Sequence, residues 1–346
     1  MADVAREAGV SKNAVSLALR NSPQIPDATR ARIRAAAERL GYRRNPVVGE
    51  LLSRLRRDAA APHRATLGLV NMHRDRDALR THPTLPAYLA GCEKRAEELG
   101  YNLDHFWIHH RQVRGRRLLQ ILRTRNIRGL LLVGLMAENR LPEHFRPVAE
   151  AFPCMVTGVR TVGPTLSFVA ADHHRLVLTA FERALALGYR RPGLVLDPAI
   201  DALVEGRFTA GFRTGQAALP PRDRAPPFYG SGDAGEVRKR FHAWRERHRP
   251  DVVFTLYNDV RRWLAEAGWR VPRDIGLVQL EWRAAEPEWT GMNQHNEITG
   301  ETAVDRLVSQ IHHGERGPPP HPTGTLVEAT WLPGTTTEPQ KGPTNH

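Results

Sequence analysis

Three short helical patterns follow one another in the first 42 residues, and they constrain the fold of this segment more than any other feature of the chain. Apolar residues recur there at intervals that place them on one face of each predicted helix. They are Val4, Ala5 and Ala8 in the first, Val15, Ala18 and Leu19 in the second, and Ile33, Ala36, Ala37 and Leu40 in the third. Helices this short are unstable alone, so the pattern predicts a compact domain in which the three faces share one core.

The break between the first two patterns is short enough to specify a turn. Gly9 stands where a left-handed residue ends the first helix, and the side chain of Ser11 can accept a backbone N–H at the start of the second. Only Val10 lies between them. A tight turn between two small helices is the helix-turn-helix pattern.

Positive charge is concentrated in the same part of the chain. Residues 1–64 carry thirteen lysines and arginines against six acids, a net charge of +7, whereas the other 282 residues of the 346 supply the remaining +6. This asymmetry favours a polyanion-binding module attached to a larger domain of ordinary charge. On charge alone, a solvated basic helix surface stays an equal alternative.

The run Asp3-Val-Ala-Arg-Glu-Ala-Gly-Val-Ser-Lys-Asn-Ala-Val-Ser-Leu-Ala-Leu-Arg-Asn21, with Thr29-Arg30 and Leu40-Gly-Tyr42, resembles the lactose-repressor (LacI/GalR) family of bacterial transcription regulators. The resemblance implies a second helix, about Ser11 to Arg20, that enters the major groove by its N-terminal end. The expected base-reading residues are Lys12, Asn13 and Leu17, and the expected phosphate contacts are Ser11, Ser16, Arg20, Asn21 and Thr29.

Chemistry gives each base-reading candidate a role. Lys12 can donate to guanine, and Asn13 can pair in a bidentate manner with adenine, with a phosphate contact as the alternative for both. Leu17 is expected to touch a thymine methyl or to make no base contact. The phosphate contacts would set register without reading sequence.

The segment that follows is expected to be a hinge helix over residues 45–57, after a DNA-binding domain over 1–44. Val47, Leu51, Leu52 and Leu55 form an apolar stripe with little else to pack on. The family resemblance implies that this helix pairs with its twin in the minor groove and that Leu51 is the wedge between central base pairs. The alternative is that Leu51 and Leu52 pack on the larger domain.

Residues 58–65 are expected to be a linker, and residues 66–332 a larger effector-binding and dimerisation domain. Apolar runs begin near residues 66, 102, 129, 154, 193, 251 and 275, with helical patterns between them. Unbroken apolar strands that alternate with helices indicate a parallel sheet covered on both faces. The resemblance implies an α/β domain of two Rossmann-like lobes of the periplasmic-binding-protein type, with a ligand cleft between them. The Pro/Gly/Thr-rich end, residues 333–346, is expected to be disordered.

Ligands of such sheets bind outside the carboxyl ends of the strands. The expected effector-binding residues are His73, Tyr88, Asp172, Arg207, Asn258 and Glu281, each with ordinary structure as the alternative. The effector is expected to be a small molecule such as a sugar or its derivative, which pairs with amides, carboxylates and arginine. The chain departs from the family at the usual effector-binding arginine, where Phe208 stands, and at Asp172-His173 and Glu281-Trp282.

No catalytic or metal-binding motif is recognisable, so neither a catalytic residue, a metal nor a cofactor is predicted. The two cysteines cannot form a disulfide framework. A charged N-terminus and the lack of an apolar run of about 20 residues predict a cytoplasmic protein. Double-stranded operator DNA and a second copy in a homodimer are the other expected partners, and a sugar carrier and an α/β enzyme are the rival interpretations.

Overall fold

The computed structural model describes residues 2–18, 24–40 and 65–340. The first two ranges form a three-helix head. Its helices are α1 (Ala2–Glu7), α2 (Lys12–Ala18) and α3 (Asp27–Arg39). The predicted hinge helix and its wedge residue Leu51 lie outside the described residues, as does the linker up to residue 64.

The core of the head is built almost entirely from small side chains. Its buried members are Val4, Ala5, Ala8, Val15, Ala18, Ile33, Ala36 and Ala37. These are the residues that the helical spacing selected, with two exceptions. Leu19 is outside the described residues, and Leu40 was wrongly assigned to the core, because it follows the end of α3 and is 47% exposed.

The first lobe is a six-stranded parallel sheet in the order β11-β5-β4-β3-β1-β2. We call it the N-lobe. Its strands are β1 (Thr66–Asn71), β2 (Asn102–Trp107), β3 (Ile127–Val133), β4 (Cys154–Thr157), β5 (Ser167–Ala171) and β11 (Gly324–Val327). Its helices are α4 (Ala78–Thr81), α5 (Leu85–Glu98), α6 (Gly115–Thr124), α7 (Arg146–Ala151) and α13 (Asn296–His313). A short 3-10 helix at Glu143–Phe145 precedes α7.

The second lobe, the C-lobe, repeats this strand order as β12-β10-β9-β8-β6-β7. Its strands are β6 (Pro192–Leu196), β7 (Phe228–Tyr229), β8 (Val252–Thr255), β9 (Gly276–Gln279), β10 (Gly291–Asn293) and β12 (Thr330–Leu332), of which β12 runs antiparallel to β10. Its helices are α8 (His173–Ala186), α9 (Pro198–Leu203), α10 (Arg207–Gln216), α11 (Ala234–His248) and α12 (Asp259–Glu266), with a 3-10 helix at Pro221–Asp223.

Each sheet is covered on both faces, as unbroken apolar strands require. In the N-lobe, α5 and α13 pack on one face and α6 and α7 on the other. In the C-lobe, α8 and α10 cover one face and α11 and α12 the other. The chain passes between the lobes three times, after β5, after β10 and between β11 and β12, so the carboxyl ends of both sets of strands face the junction.

Part of the segment expected to be disordered, residues 333–346, is ordered, and residues 341–346 lie outside the described residues. Residues 333–340 are ordered because backbone and side-chain hydrogen bonds attach them to the C-lobe. The Thr336 hydroxyl is buried and donates to the carbonyl of Leu277 at 2.7 Å, and the Gln340 N–H donates to the carbonyl of Leu187 at 2.7 Å. Their Pro, Gly and Thr content does not reveal these partners, which are distant in sequence.

Candidate DNA-binding head and ligand cleft

The turn between α1 and α2 has the geometry that its residues predict. Gly9 has φ +60°, and the Ser11 hydroxyl accepts the Ala14 N–H at 3.1 Å. Val10 donates its N–H to the carbonyl of Ala5 at 2.9 Å and packs against the core of the head. The start of α2 is therefore fixed relative to α1.

The predicted DNA contacts fall into three groups. Lys12 and Asn13 are the first two residues of α2, and Ser16 lies one turn further on. Leu17 and Thr29 are half-buried, so part of each side chain is used in packing, while Ser11 is exposed beside its capping bond. Arg20 and Asn21 lie outside the described residues. All of these DNA contacts stay predictions.

The third helix is fastened by charge at both ends. Arg30 pairs with Asp27 at 2.9 Å and donates to the carbonyl of Ile25 at 2.8 Å, and Arg39 pairs with Glu7 of α1 at 3.2 Å. The exposed pairs contribute little each, but the last one ties α3 to α1 across 32 residues of chain.

The predicted cleft residues do lie where strands of the two lobes end. His73 follows β1, Asp172 follows β5, Asn258 follows β8 and Glu281 follows β9. Tyr88 and Arg207 lie near the starts of α5 and α10. The structure places five of the six in two polar groups, and Tyr88 in a hydrophobic core.

The first group is centred on Glu281. Its carboxylate accepts from Arg283 at 2.9 Å and from the Asn296 amide at 3.2 Å. His82 of the N-lobe is close enough for this charge to act on it, although burial, the larger effect, lowers the pKa of His82. The His82 ring in turn lies 5.8 Å from that of His73. Glu281 thus lies where a side chain of one lobe meets histidines of the other.

Asn258 is joined to this group through Gln279. The Gln279 amide donates to Asn258, whose own amide donates to Glu286, and the Gln279 carbonyl oxygen accepts the Glu281 N–H at 3.3 Å. Amide, carboxylate and guanidinium therefore form one connected network at the ends of β8 and β9. Such a network holds each donor and acceptor in a fixed orientation.

The second group contains Asp172 and Arg207. Asp172 caps α8 by accepting the Arg175 N–H at 3.0 Å, and Arg207 pairs with Glu205 at 2.8 Å and lies 5.6 Å from the Phe168 ring. The buried ring of His173, beside Asp172, packs at a tilt against Phe208, with centroids 4.7 Å apart. Phe208, which stands where the family has an arginine, is thus occupied by packing.

Tyr88, one of the expected effector-binding residues, is enclosed in the core of the N-lobe. It is 4% exposed and packs with Leu85 and Cys92 in the core between α5, α13 and the sheet. Burial, together with the charge of Glu281, raises the pKa of its hydroxyl. Gly91 of α5 and Gly300 of α13 allow those two backbones to approach closely beside it, which encloses the ring.

Several residues that complete the site had no signal in the sequence. Gln279 and Arg283 flank the predicted Glu281, while His82 and Asn296 lie further from any predicted position, and none of the four carries a motif. The same holds for the buried pair Asp201 and Thr209, whose hydroxyl donates to the carboxylate and is 2.7 Å from the Tyr229 hydroxyl. Only the alignment of strand ends brings these side chains together.

Comparison with known proteins agrees with both parts of this architecture. Residues 1–45 match the family described as bacterial regulatory proteins, lacI family, and residues 181–337 match a periplasmic binding protein-like domain. The transcriptional regulator PtxS of Pseudomonas plecoglossicida is 30% identical over 329 residues, which cover 90% of this chain and 88% of that protein. The chain belongs to the lacI family.

Other lacI-family relatives extend over nearly the whole chain. CelR of Thermobifida fusca is 27% identical over 89% of this chain and 90% of its own length, and the ribose operon repressor of Escherichia coli K12 is 26% identical over 90% and 92%. The chain is therefore a DNA-binding transcription regulator, and the relatives give no support to an enzyme.

Solved structures show the same fold. A CelR–cellobiose complex has a TM-score of 0.60 at 23% identity and covers 96% of this chain and 98% of that one. A lac repressor dimer bound to operator and an anti-inducer has a TM-score of 0.57 at 19% identity, with 97% and 98% covered.

Two further features of the described residues concern metal binding and membrane insertion. No group of three or more His, Cys, Asp or Glu side chains among them is arranged to hold a metal ion. Within the same residues, every helix is too short or too polar to cross a membrane.

Proposed function

We propose that this protein represses transcription in the cytoplasm as a homodimer on a near-palindromic operator and that a small carbohydrate or derivative, bound between the lobes, controls it. The observation that carries the ligand part is the network at the ends of β8 and β9. Its carboxylate, amides and guanidinium are the groups that pair with sugar hydroxyls. The names of two relatives, a ribose operon repressor and a regulator solved with cellobiose, support the same class.

The DNA part rests on the head. Lys12 and Asn13 are the first two residues of α2. In a recognition helix, the N-terminal residues are the ones that meet base edges in the major groove. Ser11, Ser16, Arg20, Asn21 and Thr29 would contact phosphates and set the register of the head on the duplex. Leu51 would enter the minor groove and unstack a central step.

Ligand control would act through the lobe junction. Glu281 of the C-lobe lies near His82 of the N-lobe, so a ligand that engages this group has different contacts in open and closed arrangements of the lobes. A difference in affinity between two arrangements is what shifts their populations. The N-lobe is continuous with the hinge, and a change in its position would alter hinge pairing and hence operator binding.

Selection of bound fragments from the genome of the source bacterium, repeated with a panel of monosaccharides and disaccharides, tests both parts. We expect one enriched near-palindrome whose binding changes with one sugar class. Glu281→Gln should abolish that response and keep operator binding, whereas Glu288→Gln, at an exposed pair with Arg261, should keep both.

Variants of the head test the assigned roles. Asn13→Ala should relax base preference at one position of each half-site, because a bidentate pair is worth about 1–3 kcal/mol. Leu51→Ala should weaken specific binding and leave the salt-sensitive nonspecific binding largely intact. A protein that prefers no fragment over random duplex but binds a sugar tightly would instead be a carrier, and one that converts the sugar would be an enzyme.

A further inference from the structure

One surface of the N-lobe carries an arginine-rich face that the proposed function does not use. Between Asp104 and Glu138 the sequence has seven arginines and no acid. They are Arg111, Arg114, Arg116, Arg117, Arg123, Arg125 and Arg128, all exposed. Helix α6 is the centre of this face. Its Leu118 and Leu122 are buried against the sheet, so the helix that carries the arginines is held in a fixed position.

Several charges of this face are not compensated by carboxylates. Arg125 pairs with Asp104 at 3.1 Å, but Arg116, Arg117 and Arg123 have no carboxylate partner among the residues that the structure describes. On helix α5 of the same lobe, by contrast, Lys94 pairs with Glu301 and Arg95 with Asp305. Helix α6 therefore differs from α5 in carrying guanidinium groups that no carboxylate of the described residues neutralises.

Their placement also opposes the stability of the helix. Arg116 and Arg117 lie in the first turn of α6, where no acidic residue is present and where the positive end of the helix dipole disfavours cations. Arg114 occupies the N-cap position without a side-chain cap. An arrangement that costs helix stability favours a role in contacting something outside the fold.

The face reaches the edge of the lobe at which the chain enters β1. Helix α6 runs antiparallel to the strands and ends at Thr124, just before β3 begins at Ile127. Thr66, the first residue of β1, pairs with Asn102 and Ile127, so all three strands start at one edge. The chain arrives from the head at that edge, and Arg123, Arg125 and Arg128 lie beside it.

From these observations we infer that the α6 face is a second DNA-binding surface that contacts the phosphate backbone without reading sequence. Arg116 and Arg123 are separated by about 10 Å of helix, a length over which duplex DNA carries roughly six charges. The chain already binds DNA through its head, so a nearby duplex is present at high effective concentration. An acidic protein is the alternative occupant, and the experiments below distinguish it.

The first experiment measures salt dependence with the full chain. It compares wild type, Arg116→Gln/Arg117→Gln/Arg123→Gln and a control, Arg190→Gln/Arg213→Gln/Arg247→Gln, which removes the same charge from exposed C-lobe positions. The probe is a mixed-sequence duplex of about 60 base pairs, titrated by fluorescence anisotropy between about 50 and 200 mM salt. Thermal melts verify that all three proteins are folded.

Three phosphate contacts contribute about 2.7 to the slope of log affinity against log salt. Over that range, wild type and the control should therefore lose about 40-fold more affinity than the α6 variant. Equal slopes for all three proteins overturn the inference and leave the face to an acidic partner. The readout does not depend on base preference, so it stands even if the proposed operator or sugar is wrong.

The second experiment measures proximity. Cys92 and Cys154 are buried, and burial raises the pKa of each thiol to about 12, so an introduced surface cysteine should be labelled selectively. An iron chelate that cleaves nearby DNA would be attached to one of two introduced cysteines. One is Gln120→Cys, in the middle of the α6 face, and the other is Ala243→Cys, at an exposed position of α11. Cleavage from position 120 and none from 243 supports the inference, and cleavage from neither overturns it.

Discussion

Helices α6 and α11 occupy equivalent places in the two lobes, yet they are built differently. Each follows the second strand of its lobe and covers the same face of its sheet. Helix α11 is capped by Asp233, has Glu236 in its first turn, and pairs Arg238 with Glu266 at 2.7 Å. Helix α6 has neither an acidic cap nor an acid in its first turn.

Their buried sides differ as well. Helix α11 is anchored by Phe241 and Trp244, and its buried Arg245 lies 4.0 Å from the Trp269 ring. Helix α6 is anchored by two leucines. The helix at this topological position is thus stabilised by acidic and aromatic residues in the C-lobe, whereas in the N-lobe, which follows the DNA-binding head in sequence, it lacks them. Fold alone does not dictate the charge pattern of a helix.

The largest expected effect on stability concerns the opposite face of each sheet. There both lobes have a glycine where two helices are in close contact. A methyl group at Gly91 of α5 would overlap the carbonyl of Glu297 in α13, and one at Gly211 of α10 would lie 2.5 Å from the carbonyl of His174 in α8. Gly91→Ala should therefore cost more than about 3 kcal/mol, because two backbones must separate. Gly211→Ala should cost less, since its overlap is smaller.

Thermal unfolding measures this difference between the lobes. The exposed neighbour Ala90→Leu should leave the melting temperature nearly unchanged, because leucine is also a good helix former. If Gly91→Ala were as stable as wild type, the close α5–α13 contact would be wrong, and with it the explanation for the burial of Tyr88.

An intermediate effect is expected where the chain first crosses between the lobes. Burial, aided by the charge of Arg207 and opposed by that of Asp172, lowers the pKa of His173 to about 4. The unfolded chain takes up a proton near pH 6.5 that the folded state refuses, so stability should fall as the pH decreases from 6.5 to 4. The loss amounts to about 3 kcal/mol.

Chemical denaturation at a series of pH values checks this. His173→Asn should flatten the decline, whereas His295→Asn, at the second crossing, where the imidazole is half-buried and 2.7 Å from the Thr330 hydroxyl, should not. Parallel declines for wild type and His173→Asn would show that another group controls acid stability.

The smallest effect sharpens the comparison of α6 with α11. Gln120→Glu places a carboxylate among Arg116, Arg117 and Arg123, and each helical pair should add about 0.3–0.5 kcal/mol of stability. The same change should lower affinity for mixed-sequence DNA a few-fold, because it neutralises the face. A glutamate introduced by Ala243→Glu on α11 lies at similar spacing from Lys239, Arg240 and Arg247. It should raise stability without changing the affinity for DNA.

Stability and DNA affinity should change in opposite directions only for the α6 variant, Gln120→Glu. Thermal melting gives the stability and anisotropy with the duplex of about 60 base pairs gives the affinity. Identical effects of the two glutamates on DNA binding would mean that total charge, and not the α6 face, determines nonspecific affinity.

Much of the fold was predictable because its signals are local. The helical spacing of Val4, Ala5 and Ala8 and the placement of Gly9 and Ser11 are confirmed by the head, and the apolar runs at 66, 102 and 129 are confirmed as strands. Short strands such as β7 and β10 have two and three residues, too few to show a pattern. The ordered end at residues 333–340 was missed because its partners, Leu277 and Leu187, are far away in sequence.

The sequence by itself determined the order of elements, the three-helix head, the family and the excess charge near the N-terminus, because each of these depends on spacing or counting along the chain. Only the tertiary structure decided which polar groups form the network around Glu281, that Tyr88 and Phe208 are enclosed, and that Arg116, Arg117 and Arg123 have no carboxylate partner within the described part of the chain. Those properties depend on distances between segments that lie tens to hundreds of residues apart, and on burial, which changes hydrogen bonding and the pKa of a side chain without changing its identity.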